Sequence, residues 1–586
     1  MLRTVRKITP LLSALAFGFA GIAGVTAASS VLIGCEDETK PEYYIKRLED
    51  PAVRPAAVKR LIQFFEDAMT RADKNRDDPN VKALLDKIVP PLTKAYVAGG
   101  LEDSTRFEML KLLADSRDLR AKDAWVKALK DYQPNVSEDE SKNAARAIAK
   151  STVRDPEALE AMIGVFMKLR AGTEKGGLVW KDLKDSMTEI SAPSWEPQLL
   201  ERLNRPMEAI DPQKDKDAKD KISAFRDEQF WQVTAAEILG NIKSAKAIKP
   251  LFKCVVNPNK ADIAATAILA IVKVGKGAMP PLSDILLGKD PEVVEYAKGV
   301  VKTAPEAAVV RNAALVIGTI GRSDGIKPLI EALGQAKDDP TKAILARELS
   351  KLPSSEESLN AYLDVLMKMP VSVDLPTGET AAAMLTEMVD GYYNSNVIDK
   401  LIKRGKEAKG SDEDKHTVRD STIVAMIHVM KREQIEQVEK AINEWAPKPD
   451  ENKLEKEAFA KSKETLMACG DKIECYLAKI EEPALQEQKD QVSAIKAAYM
   501  LGILGSDPAR MESTRNEIIK RLPKIKNAAI KFSAAKAVDH LTPNGDKGAA
   551  DAIKKVMDDN KLKGDQNVIA GDNPLKQIML RILARL

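Results

Sequence analysis

Ala313 to Leu333 read AALVIGTIGRSDGIKPLIEAL, and Ala235 to Val255 read AAEILGNIKSAKAIKPLFKCV; the two lie over one another at a constant offset of 78 with no gap. Ala235-Ala236 matches Ala313-Ala314, Leu239-Gly240 matches Ile317-Gly318, and Ile242 matches Ile320. Ile248 then matches Ile326, and Pro250-Leu251 matches Pro328-Leu329. The stretch AAYMLGILGSD, Ala497 to Asp507, repeats the first half with Ala497-Ala498, Leu501-Gly502 and Leu504-Gly505 in register. An offset of 78 is two periods of about 39, the length of a repeat built from two helices.

The residue types suit paired helices. An Ala-Ala step lets two helices approach closely, and Ile or Leu at spacings of three and four forms a buried stripe. Gly321 and Gly505 fall where a helix end favours a left-handed residue. Pro250 and Pro328 fall in the first turn of the next helix, where a missing N–H costs nothing. In Asp50-Pro51-Ala52-Val53-Arg54 the pattern predicts that Asp caps, Pro starts the helix and Val is buried.

These motifs resemble HEAT repeats, particularly the subtype seen in phycobilisome lyases, and the match is specific for about residues 230–340 and 490–560. The resemblance implies an all-α chain, an α-solenoid of HEAT/armadillo-like helix pairs, roughly 12–14 of them. Composition agrees: 4% aromatic and 31% charged residues, with no alternating strand-like runs. The expected organisation is a signal peptide at 1–34, a short tether at 35–41, degenerate helical repeats at 42–225, regular HEAT-like repeats at 226–369, and C-terminal repeats with a capping helix at 370–586. The polar run DPQKDKDAKDK at 211–221 is the best candidate for a break between segments.

At the N-terminus, Arg3, Arg6 and Lys7 precede an uncharged stretch from Leu11 to Gly34, which ends in Leu32-Ile33-Gly34-Cys35. That arrangement reads as an export signal. LIGC at 32–35 resembles the lipobox of bacterial lipoproteins, which implies lipidation at Cys35 and a protein held on a membrane of the bacterial cell envelope, at the outer membrane or the periplasmic face. An uncleaved membrane-spanning helix is the alternative, since 24 uncharged residues are long enough to cross a bilayer. The whole chain carries 91 Lys and Arg against 88 Asp and Glu; without the three basic residues of 1–34 the two counts are equal. Such a balance offers no electrostatic footprint for nucleic acid.

Chemistry is sparse. His416 is placed in a charged loop, His540 in an exposed slot, and neither these nor His428 has a metal-spaced partner. No nucleophile elbow or phosphate-binding loop occurs, so no catalytic residue, metal or cofactor is expected and the chain reads as a non-enzyme. Cys469 and Cys475 bracket GDKIE at a short turn between helices, and an exported protein can oxidise them to a disulfide that contributes about 2 kcal/mol. Cys254 is expected as a packing residue, and Trp125, Trp180, Trp195, Trp231 and Trp445 as fillers of degenerate repeats.

The function that follows is a membrane-anchored scaffold that binds protein partners along a curved helical face. In DGIKPLIEALGQAK, Ile326, Leu329, Ile330 and Leu333 point inward, leaving Lys327, Glu331 and Gln335 outward; Lys249 and Lys253 occupy the equivalent places one segment earlier. Two alternatives accompany it: a lyase-like enzyme or enzyme subunit, implied by the phycobilisome-lyase resemblance, and a structural spacer of the envelope. The tether EDETKP reaches only about 20 Å, which places the first repeat near the bilayer and makes 490–586 the meeting place for a distant partner.

Overall fold

A computed structural model describes residues 37–134, 136–168, 176–208, 210, 218–353, 355–368, 385, 389, 391–393, 396–481, 488–525, 527–543, 546–559, 578 and 582. The signal segment, Cys35 and most of the 211–221 run lie outside them. Among the described residues every regular element is helical and none is a strand. The chain forms two compact units that divide between Leu92 and Thr93.

The first unit holds α1 (Pro41–Lys46), α2 (Arg54–Arg71) and most of α3 (Pro79–Ala98). Leu48, Val58, Leu61, Ile88 and Val89 are buried, and Lys87 of α3 meets Glu42 of α1 at 2.8 Å. The capping pattern at 50–54 is only half realised. Asp50 Oδ1 accepts from the Ala52 amide at 3.0 Å, but the helix begins at Arg54, and Val53, expected inside, is 38% exposed. With Pro51 to Val53 in a turn that precedes α2, the valine sits ahead of the helix's buried stripe.

The second unit is a helical solenoid. Its first half runs α4 (Asp103–Ser116), α5 (Lys122–Lys130), α6 (Glu138–Lys150), α7 (Pro156–Lys168), α8 (Gly176–Ile190), α9 (Glu196–Asn204), α10 (Ala218–Asn241), α11 (Ile248–Val256) and α12 (Ala261–Val274). Helix α4 packs on α6, α6 on α8, α8 on α10 and α10 on α12, while α5 packs on α7, α7 on α9 and α9 on α11. Two rows of helices, each touching its neighbours along the row and its partner across it, are the signature of stacked pairs. The middle continues with α13 (Met279–Leu286), α14 (Pro291–Val300), α15 (Pro305–Ile320), α16 (Ile326–Gln335), α17 (Asp339–Ser350) and α18 (Glu356–Lys368).

The self-matching residues do what the repeat requires. Ala235, Ala236, Leu239 in α10 and Ala313, Ala314, Ile317 in α15 are all fully buried. The glycine that follows in each carries the closest approach. A Cβ at Gly240 would lie 2.6 Å from Cα of Ala270 in α12, and one at Gly318 would strike Glu348 of α17. Gly321 closes α15 with φ +70° and donates to the Ile317 carbonyl at 3.0 Å. Gly505 does not adopt a left-handed conformation; it is required for space, since a Cβ there would meet the Leu501 carbonyl at 2.7 Å and Leu541 at 2.9 Å.

The last part comprises α19 (Val397–Lys406), α20 (Asp412–Val429), α21 (Ile435–Trp445), α22 (Lys453–Cys469), α23 (Ile473–Glu481), α24 (Gln488–Leu504), α25 (Met511–Arg521), α26 (Ala528–His540) and α27 (Lys547–Asp559). Here the nearest-neighbour rule is broken. Helix α20 touches α24 across α22. Tyr499 of α24 donates its hydroxyl to the Tyr392 carbonyl at 2.9 Å, and the Tyr393 ring lies between Tyr499 (centroids 5.1 Å apart) and His540 of α26 (4.1 Å). Ile578 and Ile582 of the C-terminal amphipathic stretch are buried in this same core.

Candidate functional site: two recesses on a stitched array

The outward positions chosen from the repeats are largely engaged by the array itself. Lys249 Nζ lies 2.7 Å from the buried carboxylate of Asp290, and Lys253 Nζ lies 2.6 Å from Glu292 of α14. Glu331 sits 3.7 Å from Lys289 and accepts from the Gln335 amide at 3.4 Å, whereas Lys327 is exposed. Similar pairs recur along both rows: Lys130 of α5 with Glu157 of α7 (2.6 Å), Lys150 of α6 with Glu189 of α8 (2.8 Å), Lys184 of α8 with Glu237 of α10 (3.1 Å). Each exposed pair contributes about 0–1 kcal/mol, so their regular placement fixes how successive pairs stack more than how stable the fold is.

Cys469, the last residue of α22, and Cys475, in the first turn of α23, form a disulfide with Cα atoms 5.4 Å apart. Tyr476 beside it is buried and donates to the Gly470 carbonyl at 2.8 Å, and burial pushes its phenol up to about 12. Cys254 is buried, and desolvation pushes its thiol up to about 11, which leaves it unreactive. His416 is not in a loop: it lies in the second turn of α20, where a Ser411–Asp414 capping box starts the helix early, and its Nδ1 is 2.7 Å from Asp420. His540 is exposed as expected, beside Ser506 at 2.8 Å. Trp125, Trp195 and Trp231 are fully buried; the Trp195 indole donates to the Leu159 carbonyl at 2.8 Å and Trp445 fills the space above Gly405.

Two recesses were not anticipated. The first is polar, with a volume of about 540 Å³. It is bounded by the end of α3, the start of α4, the end of α5 and the start of α6. Glu140, in the first turn of α6 and only 7% exposed, lies at its inner end. The Arg106 Nε lies 2.9 Å and 3.1 Å from the two Glu140 oxygens, and the Tyr96 hydroxyl donates to one of them at 3.3 Å. Burial and the Glu140 charge together push the Tyr96 phenol well above its ordinary value, so it stays a donor. Burial is the largest single influence on Arg106 and opposes its charge, but the hydrogen bond to Glu140 and the Glu140 and Asp103 charges together outweigh it and raise the guanidinium. Nearer solvent, Lys127 and Asp131 pair at 2.8 Å, and Gly99 and Gly100 take left-handed conformations with open space where a side chain would be.

The second recess is an apolar groove between α20, α22 and α24, with a volume of about 170 Å³. Ile427, Ala458, Val492 and Ile495 line it, and Val424 and Leu454 stand 38% and 59% exposed beside it. At one side Lys496, 2% exposed, reaches across to the end of α20. Sequence reading missed both recesses because their residues come from three or four helices. The Gly99-Gly100 pair before α4 was the only local signal of the first.

No family model and no curated protein matches this chain. Among solved structures it is similar to a karyopherin bound to the extreme C-terminus of a protein phosphatase (13% identity, 91% of this chain and 69% of that one, TM-score 0.30). It is also similar to importin beta (10% identity, 93% and 84%, TM-score 0.28) and to an engineered protein (16% identity, 78% and 99%, TM-score 0.23). At these scores the repeat architecture rests on the helix packing described above.

Proposed function

We propose that this protein is a lipid-anchored scaffold of the bacterial cell envelope, a HEAT-type array that binds partner proteins without catalysing a reaction. The lipobox-like LIGC at 32–35, after a charged head and an uncharged stretch, supports the anchor through Cys35. The observation that carries the binding role is the apolar groove of α20, α22 and α24. Val424 and Leu454 leave apolar surface in water directly beside a recess lined by further apolar side chains. A channel between parallel rows of helices suits one apolar face of a partner's amphipathic helix, laid in with contacts every three to four residues.

Two measurements test this. A photo-crosslinking residue at Leu454 should capture a discrete partner in intact cells, and Val424→Asp on the same chain should abolish it, while a crosslinker at Lys327 should capture none. Identical products at 454 and 327, or capture that survives Val424→Asp, would refute the groove. Cys35→Ser should release the protein from membranes; retention after a high-salt wash would move the anchor to an uncleaved helix at 11–34. The ion-paired rows of helices favour a second reading, an envelope spacer, which predicts no crosslink at either position.

A further inference from the structure

We propose that the polar cavity between α3, α4, α5 and α6 is a binding site for a small neutral polyhydroxylated ligand, a sugar unit. Its volume of about 540 Å³ falls in the range of small-molecule pockets. Its charges are already spoken for inside the cavity: Arg106 with Glu140 at 2.9 Å and with Asp103 at 3.4 Å, Lys127 with Asp131 at 2.8 Å. An anionic ligand would have to displace a carboxylate from Arg106 or Lys127, an exchange that returns little because each new ion pair is made by breaking one of equal strength. The lining has one carboxylate in excess of its two cations, but that one, Asp103, is 87% exposed, so water screens it and a cationic ligand gains little there.

What the paired groups still offer is directional. Each carboxylate has acceptor positions beyond those its partner uses, and the Lys127 ammonium has N–H groups left over. Donors and acceptors therefore stand side by side at fixed positions, Glu140 next to Arg106 and Asp131 next to Lys127. A hydroxyl donates and accepts at once, so a pair of neighbouring hydroxyls matches such an arrangement, whereas a carboxylate, phosphate or ammonium uses only half of it. The buried end is preset: Glu140 is 7% exposed and is held by Arg106 and the Tyr96 hydroxyl. The outer end supplies apolar contact for a ring's C–H face. Val136 is 62% exposed at the rim, Leu101 is half-buried beside it, and Gly99 and Gly100 leave open space where side chains would stand. The site lies far along the chain from the apolar groove and does not depend on the scaffold reading.

A free sugar and the end of a glycan chain share this chemistry, and two probes separate them. The full chain, purified in a detergent without a sugar headgroup, is titrated by saturation-transfer NMR and calorimetry with N-acetylglucosamine and with its linear tetramer; glutamate, spermidine and inorganic phosphate serve as comparators. Millimolar or tighter binding of either saccharide, with the comparators silent, is expected; tighter binding of the tetramer identifies a chain end and equal binding a free sugar. Val136→Trp, at an exposed position that leaves the core untouched, should weaken binding at least about tenfold by filling the mouth. Glu140→Gln should weaken it similarly, read only if its helical circular dichroism matches that of the unaltered chain. Absence of binding by both saccharides, a stronger response to any comparator, or affinity unchanged by Val136→Trp overturns the proposal.

Discussion

The ammonium of Lys496 in α24 lies 2.7 Å from the carbonyl oxygen of His428 in α20, a residue 68 positions earlier. The same nitrogen lies 2.9 Å from the Met430 carbonyl. One buried cation from one helix thus serves as the C-terminal cap of another, where carbonyls would otherwise lack partners and where positive charge is favoured. Lys496→Met, which keeps the side-chain volume and leaves both carbonyls unpaired, is expected to cost about 1.5–3 kcal/mol. A lowered midpoint of urea unfolding with an unchanged slope would show it; an unmoved midpoint would mean that water replaces the ammonium.

Two glycines in similar helices should respond oppositely to alanine. Gly240→Ala places a methyl 2.6 Å from the Ala270 backbone, so α12 must shift, at a cost of about 1–3 kcal/mol. Gly164→Ala in α7 meets nothing within 4 Å and should stabilise the chain by about 0.5–1 kcal/mol through helix propensity. Thermal midpoints of the two variants, measured side by side, decide it. Equal shifts would sink the close-packing account.

The Cys469–Cys475 disulfide predicts that neither cysteine is alkylated in an unreduced digest of the protein isolated from its native cells, while Cys254 becomes reactive only on unfolding. Mass spectrometry before and after reduction reads both. Replacing the pair by serine should lower stability by about 2 kcal/mol in the chain-entropy picture. Full alkylation without reduction would show that the thiols stay free.

Acid should loosen the array through its inter-repeat carboxylates. The hydrogen bond from Lys122 holds Asp155 below its ordinary 3.8, the Ser244 hydroxyl and then Lys246 hold Glu196 below 4.5, and Lys524 does the same for Glu481. A carboxyl whose folded value is depressed contributes stability that is complete above its unfolded value and is lost as pH falls through the folded one. The thermal midpoint should therefore be level from neutral pH down to about pH 5 and fall below about pH 4. A midpoint that stays level through pH 3 would show that these pairs contribute nothing.

The repeat was legible because it is written in small residues. Ala235-Ala236, Ala313-Ala314 and the glycine four residues after each second alanine recur in register, and each marks a helix that a neighbour must approach closely. The endings were less legible. Gly505 looks like Gly321 in sequence, but its neighbours Leu501 and Leu541 require a missing side chain rather than a left-handed turn. Val53 follows the capping pattern without being buried, since α2 starts one residue later, and His416 was read as loop because Ser411 and Asp414 cap a helix inside a charged run. Outward positions could be chosen from the stripe, but not their occupation: that Lys249 meets Asp290 depends on how far one pair steps past the next. Tyr96, Arg106 and Glu140 come together only through packing, and no local spacing announces them.

The aromatic contact of Tyr392 and Tyr393 with α24 and α26 has a consequence for how this chain comes apart. A row of repeats that touch only their neighbours can unzip from either tip, losing one hairpin at a time. Between α19 and α26 that route is barred, because peeling away α26 strips His540 from Tyr393, and Tyr393 in turn rests on Tyr499. Amide protons across this stretch should therefore exchange as one block, with α20 and α24 opening together, whereas α4 to α9 should show protection graded along the row.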